Sequence, residues 1–297
     1  MTLCYICPHR CGVDRPETMS SSGTFGSCGC GMKPIVARAG LHKWEEPCIS
    51  GTRGSGTVFF SGCNLHCVFC QNHKISCEGF GKEITIEQLQ KIYQDLIAQG
   101  AHNINLVTPT HFTQAIIESL EEKLPVPVVY NTSGFETIDT LRKLQGKVQI
   151  YLPDFKYSDN LAAIKYSNAP DYFRITAAAI KEMYRQTGDY RIDDEGILQS
   201  GVVIRHLILP GLVDNSKRVI DWVAETFEPG QVLFSLMHQY IPCGDAAKYP
   251  EINRTVSKAE YKEIEAHLFA SGIEDGFVQD GEAASCDFIP AFDGTGV

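Results

Sequence analysis

The feature that most limits how this chain can fold is a regular alternation of short apolar runs with amphipathic segments. TVFFSG (57–62), NINLVTP (103–109), PVVYNTSG (127–134), VQIYLPDFKY (148–157), GVVIRHLILPG (201–211) and QVLFSLMHQY (231–240) have the length and apolar density of buried strands. Between the first two, ITIEQLQKIYQDLIAQG (84–100) places Leu89, Ile92, Tyr93, Leu96 and Ile97 at helical spacing, with Thr85 as N-cap and Gly100 as stop. The spacing predicts further helices over 111–124, around 136–145, over 159–187 with a break near Pro170, and over 215–227 and 257–270. Six such β/α units define an α/β chain with a parallel sheet covered by helices. A doubly wound sheet and an open or partial barrel fit this periodicity equally well. In both, chemistry belongs at the carboxyl ends of the strands.

The polar residues gather at those ends. Thr108, Pro109, Thr110 and His111 follow the second strand, and Asn131, Thr132 and Ser133 the third. Asp154 and Lys156 lie on the fourth, Arg205 on the fifth, and His238 and Tyr240 on the sixth. The first strand runs into SGCNLHCVFCQN, where Cys63, Cys67 and Cys70 are spaced C-x3-C-x2-C. Three thiolates on one loop suit a soft metal. Either a zinc ion completes its shell with His66 or His73, or an iron–sulfur cubane keeps one iron open to another ligand.

Twelve cysteines are many for a chain with no basic-then-apolar leader, and all but Cys243 and Cys286 precede residue 78. In a reducing, cytoplasmic setting, which is the expected location, they read as metal ligands or buried thiols rather than disulfides. Cys4, Cys7 and Cys11 run C-x2-C-x3-C, and Cys28 or Cys30 supplies a fourth thiolate. Four thiolates make a closed zinc site or hold a second iron–sulfur cluster. Cys48, Cys77, Cys243 and Cys286 are read as free thiols. A net charge of −10 without a dense Lys/Arg block disfavours nucleic acid as partner. No stretch is apolar enough to span a membrane. The chain divides into a Cys-rich, loop-rich segment (1–50), a β/α core (51–240) and a closing helix and tail (241–297). The tail DFIPAFDGTGV (287–297) either folds over the mouth of the core or is a free end.

The C-x3-C-x2-C loop, with the aromatic Phe69 before its last cysteine, resembles the signature of the radical S-adenosylmethionine superfamily. That resemblance implies a partial (β/α)6 barrel, a [4Fe-4S] cluster on Cys63, Cys67 and Cys70, and reductive cleavage of S-adenosylmethionine to a 5′-deoxyadenosyl radical that abstracts hydrogen. TVFFSGCNLHCVFCQN, NTSG (131–134), LPDFK (152–156) and IRHLILPG (204–211) look closest to the pyruvate formate-lyase-activating-enzyme group, which places a radical on a glycine of a partner enzyme. The front cysteines resemble an amino-terminal Cys-x2-Cys-Pro motif of an uncharacterised, activating-enzyme-like subgroup. Carried over by position, Lys156 would pair with the methionyl carboxylate, Arg205 and Leu207 would lie along the cofactor, and Phe69 and Tyr240 would lie near the adenine. Asn72 belongs to the Cys-x-Asn that follows the loop. Asn131, Thr132 and Asp154, with Ser133 beside them and the Leu152 carbonyl, would match a monovalent cation site, although Asn131 stands where a carboxylate is expected. Pro109 and Thr110 replace the Gly-Gly-Glu whose backbone receives the methionyl amino group, and His111 brings a titratable group there.

Blander readings stand beside these. Asp154 and Lys156, two apart on a strand, share a face and make an ordinary buried ion pair. Arg205 bridges strands, and Tyr240 and Leu207 belong to the core. His111 caps a helix, and His206 points away from Arg205. The expected function is radical S-adenosylmethionine chemistry on a glycine of a glycyl radical enzyme, with flavodoxin or ferredoxin as electron donor. The rivals are another peptide or small-molecule substrate, and a non-catalytic iron–sulfur or zinc protein.

Overall fold

In the computed structural model, residues 3–279 and 290–297 are described. Cys286 and the first residues of the tail motif lie outside them. Each of the six apolar runs forms a strand, because a run apolar on both faces can be satisfied only between two covering layers. In chain order the elements are β1 (Ile35–His42), α1 (Pro47–Ser50), β2 (Ser55–Phe60), α2 (His73–Ser76), β3 (Lys82–Glu83), α3 (Ile86–Ala98) and β4 (Ile104–Val107). Then follow α4 (Thr113–Ser119), β5 (Val128–Thr132), α5 (Ile138–Lys143), β6 (Ile150–Pro153), α6 (Asn160–Ser167), α7 (Tyr172–Thr187) and β7 (Arg191–Ile192). The chain ends with β8 (Leu198–Leu207), α8 (Val213–Thr226), β9 (Leu233–Met237), α9 (Lys258–Ala270) and β10 (Gly276–Val278).

The sheet runs β10-β9-β8-β6-β5-β4-β2-β1-β3, with β7 paired to β8. Its first seven strands in that order are mutually parallel. It does not close, so the fold is an open, partial barrel with one parallel strand more than the six expected. Residues 35–42, read as part of a loop-rich segment, instead form β1, antiparallel to β2. IVARAGLH interrupts its apolar residues with Arg38 and Gly40, which hides an outer strand from a periodicity reading. Thr85 closes a capping box with Gln88 at the start of α3, and Ser257 does the same with Glu260 at α9. The helix expected over 111–124 is shorter: a 3-10 turn over Thr110–Phe112 precedes it and it stops at Ser119. Among the described residues no helix is long and apolar enough to cross a membrane.

Two additions outside the β/α units shape the site. Residues 3–34 lie against the loop that follows β2. The tail is tied to β1 by its backbone, where Ala39 N donates to Thr295 O and Gly294 N to Ala37 O. Phe292 is buried with Phe59 and Val107, and Lys74 Nζ holds its carbonyl at 2.6 Å. The tail therefore folds onto the molecule beside the mouth.

Candidate active site

The carboxyl ends of the strands surround a cavity of about 230 Å³ whose wall includes Cys63, Cys67 and Cys70. The loop leaves β2 through Gly62, at φ 80°, where a Cβ would collide with Cys30 Sγ and come within 3.1 Å of His111 Nε2. His66 within the loop and Thr108 at the end of β4 hold left-handed φ values of 50° and 58°. Such backbone costs about 1 kcal/mol or more per residue and is held only by surrounding structure.

Each sulfur is held by a hydrogen-bond donor: Leu65 N to Cys63 Sγ at 3.3 Å, Ser167 Oγ to Cys67 Sγ at 2.9 Å and Ser76 Oγ to Cys70 Sγ at 3.3 Å. Burial, and then the neighbouring thiols, push Cys63 up to about 11; burial pushes Cys67 up to about 12 and Cys70 upward. Three thiols that resist ionisation together need a positive centre to become thiolates. Among the described residues no three His, Cys, Asp or Glu side chains converge at the distances of a single ion. A four-iron cube is held at its corners, so its ligands stand further apart than those of one ion. The three thiols and their donors thus fit an iron–sulfur cluster. A zinc shell completed by His66 does not form, because His66 Nε2 turns away to Ser27 O at 2.7 Å.

Opposite the thiols lies a buried ionic network. Asp154 on its loop and Arg205 on β8 form a parallel bridge, so their side chains leave the sheet as neighbours. Arg205 Nε donates to Asp154 Oδ1 at 2.8 Å, and Lys156 Nζ to Asp154 Oδ2 at 2.5 Å. Burial works against the Asp154 carboxylate, but Arg205 and Lys156 more than offset it and hold its pKa below the usual value. Burial likewise opposes the Lys156 charge, and Asp154 more than restores it. Gly134, at φ 75°, lets the β5 loop turn close to Asp154 O, which a Cβ at this position would meet at 2.7 Å.

Phe69, Asn72, Asn131, Thr132, Ser133 and Leu207 all reach the cavity, as do Asp154, Lys156 and Arg205. Pro109 and Thr110 do not. Pro109 opens the 3-10 turn, and the Thr110 hydroxyl is taken at 2.6 Å by Glu136, leaving Val107 and Thr108 at the wall. Tyr240 also stands back, its hydroxyl on Ile252 O at 2.8 Å and its ring edge-on to Phe69 at 5.7 Å. Gln239 and Met237 reach the wall in its place. His238 stacks on Tyr261. His111 is neither cap nor cavity residue; its Nε2 meets Ser61 O at 2.7 Å behind the loop, and burial lowers its pKa. His206 does point away, to Phe155 O and Ser216 Oγ.

The front cysteines are not gathered into a single-ion site. Cys11 Sγ accepts from Ser27 N at 3.2 Å, Cys30 Sγ donates to Ser61 O at 3.5 Å, and Cys4 lies in the extended start of the chain. The segment is nonetheless fastened to the cluster loop: His9 Nε2 meets Asn64 O at 2.6 Å, and His66 meets Ser27 O. Sequence reasoning missed Glu45 and Glu46, which follow β1 and enter the network around Arg205. It also missed Glu136, which accepts both Thr110 and Thr132 and is pushed up to about 7 by burial. The only local sign of the first two is an acidic pair between Trp44 and Pro47, which names no partner.

Residues 57–223 match the model of the Radical SAM superfamily, and the chain belongs to that superfamily. Its members use a [4Fe-4S] cluster and S-adenosylmethionine, and the protein is an enzyme of radical chemistry with those cofactors. The chain is 32% identical over 276 residues to the uncharacterized protein MJ0674 of Methanocaldococcus jannaschii, covering 89% of this chain and 73% of that one. Its fold is similar to Streptococcus suis SuiB bound to S-adenosylmethionine, with a TM-score of 0.53, 12% identity and 73% of this chain covered. The chain spans about half of SuiB, 48% of its length. A domain of pyruvate-formate lyase-activating enzyme from Bacteroides vulgatus aligns at a TM-score of 0.37 and 14% identity, over 66% of this chain and 91% of that domain. That likeness is too slight to argue from.

Proposed function

We propose that Cys63, Cys67 and Cys70 hold the cluster, and that the enzyme abstracts hydrogen from a residue of a partner polypeptide, in the first place a glycine. The cluster and S-adenosylmethionine supply the 5′-deoxyadenosyl radical. The chain's own residues bind and orient: Lys156 meets the methionyl carboxylate, and Phe69 and Leu207 line the nucleoside. Flavodoxin or ferredoxin is the proposed electron donor.

The observation that carries the substrate class is the size of the cavity. At about 230 Å³ it is small for a site that takes a nucleoside cofactor, so a substrate would reach the cofactor from the open mouth by a slender group. A glycine at the tip of a loop is the slimmest a polypeptide offers. The rim is built partly from outside the β/α units, by Trp44 and Pro290, as a surface that receives a partner would be.

The test mixes reconstituted enzyme, reductant and S-adenosylmethionine with the proteome of source cells grown on glycine deuterated at Cα. Deuterium in the 5′-deoxyadenosine supports the reading. Stimulation of unlabelled product by the protein fraction moves the site to another residue. Stimulation by the small-molecule fraction alone overturns a polypeptide substrate.

A further inference from the structure

Asp154, Asn131 and Thr132, the side chains expected to hold a monovalent cation, do not fit one, because their oxygens are already engaged; Ser133 Oγ beside them has no partner, and one hydroxyl makes no cation shell. Asp154 spends Oδ1 on Arg205 and Oδ2 on Lys156. Asn131 is used at both ends of its amide: Oδ1 accepts from Arg205 Nη2 at 2.7 Å, and Nδ2 donates to Glu45 Oε2 at 2.9 Å. The Thr132 hydroxyl turns to Glu136 at 2.5 Å. A hard cation needs several oxygens converging on one point. Here Asp154 Oδ1 and Asn131 Oδ1 converge on a guanidinium instead.

We propose that the Arg205 guanidinium is a built-in cation at this position, fixed by Glu45, and that the enzyme therefore binds its cofactor without a monovalent metal ion. Glu45 comes from the turn after β1, outside the segment that matches the superfamily. Its Oε2 accepts from Arg205 Nη1 at 3.4 Å, Asn131 Nδ2 at 2.9 Å and Asn105 Nδ2 at 3.2 Å. It supplies, from a distant part of the chain, the carboxylate that Asn131 lacks. Glu46 Oε2 lies 3.8 Å from Arg205 Nη1 with no hydrogen-bond partner. Burial lifts Glu46 to about 7, so near neutrality it carries its proton much of the time. The charges of Glu45 and Asp154 then balance those of Arg205 and Lys156, leaving no deficit for a metal ion to fill. Glu45 is on this account a positioning residue: it holds Arg205 and Asn131 and need not touch the cofactor.

The inference concerns cofactor binding alone and is independent of which hydrogen donor the enzyme takes. Its test uses the reconstituted enzyme and measures S-adenosylmethionine affinity in sodium, potassium and choline chloride at matched ionic strength, with melting of the cluster-free chain in the same salts. The expected result is an affinity equal within about twofold, and melting temperatures within about 1 °C, because an ion bound only by the native chain would raise the latter by mass action. Affinity tighter by about tenfold or more in sodium or potassium than in choline overturns the proposal. Arg205→Ala should weaken binding about tenfold in choline, the loss of a charge-assisted bond, and regain part of it with potassium or added guanidinium. Unchanged binding in choline also overturns the proposal. Should that variant not fold, Arg205→Lys, which keeps the charge, should stay indifferent to the salt, and potassium dependence there counts against the idea. Glu45→Gln should weaken binding about fivefold in all three salts alike.

Discussion

Two regions of this molecule carry cysteines in mirrored spacing, C-x2-C-x3-C at Cys4, Cys7 and Cys11 and C-x3-C-x2-C at Cys63, Cys67 and Cys70, yet the fold treats them differently. The second loop is hung from the end of a buried parallel strand. Its sulfurs reach one cavity, and each receives a donor from a different part of the chain. The first has no regular element beneath it, and of its sulfurs Cys7 is buried while Cys4 and Cys11 are partly exposed. It is held through its neighbours, by His9 on Asn64 O and by His66 on Ser27 O. Spacing makes ligands available; a strand end aims them. Cysteines without such a frame depend on whatever they bind, or on the surface they lie against, for their order.

Replacing one cysteine in each region sets the two apart by the largest margin. Cys67→Ala should cost at least about 100-fold in 5′-deoxyadenosine formed with dithionite, since even partners of ligands are worth 10–100-fold. Its iron content after reconstitution should fall in step. Cys7→Ala should keep the bulk of the cleavage, because no sulfur of the front segment reaches the cavity. Equal losses in the two variants would break the distinction.

Glu136 joins the two regions. Phe135, beside it, packs edge-on to His9 at 5.5 Å and accepts Asn64 Nδ2 at 2.9 Å, while the Glu136 carboxyl lies under Thr110 and Thr132. Burial lifts this carboxyl from 4.5 to about 7, so between those values the folded chain holds a proton that the unfolded chain has released. Stability contributed at this position is therefore full below pH 4.5 and is lost as pH rises towards 7. The loss amounts to about 2–3 kcal/mol. Glu136→Gln, which still accepts both threonine hydroxyls, should remove that slope in denaturant melts at about pH 5 and about pH 8. An unaltered slope would mean that the front segment does not keep water from this carboxyl.

What could be read in the sequence follows from how far each interaction reaches along the chain. The six strands were legible because each is a continuous apolar run, and Arg205 was legible because alternation on a strand fixes which side chains share a face; Asp154, one residue past β6, keeps that period through its bridge to Arg205. The same alternation sends His206 to the opposite layer, where the structure has it. Pro109, Thr110 and Tyr240 lie past strand ends, where no period holds. There a 3-10 turn, a buried glutamate and an aromatic contact decide the direction instead. Glu45 was the least legible residue of the site, since its partner Arg205 is 160 residues away. Only the folding of β1 onto β2 brings the turn that carries Glu45 to Arg205.

The smallest effect expected is electronic. Ser167 Oγ, 2.9 Å from Cys67 Sγ and 2.7 Å from Tyr157 Oη, stands at the end of α6 and comes to the cluster loop across 100 residues. A hydrogen bond to a ligand sulfur favours the more electron-rich, reduced state, so removing it lowers the reduction potential. One neutral hydrogen bond is worth about 1 kcal/mol, which for a single electron is about 40 mV. Ser167→Ala should shift the potential down by about that amount, with Ser167→Thr, which keeps the hydroxyl, staying near the parent value. Cys11, whose sulfur also accepts a single donor, from Ser27 N, belongs to the segment that does not reach the cavity. Ser27→Pro, which removes that donor, should leave the potential of the cavity cluster where it was. A shift in the Ser27 variant as large as in the Ser167 variant would show the two cysteine regions to be electronically one site, and the contrast drawn from their geometry would fail.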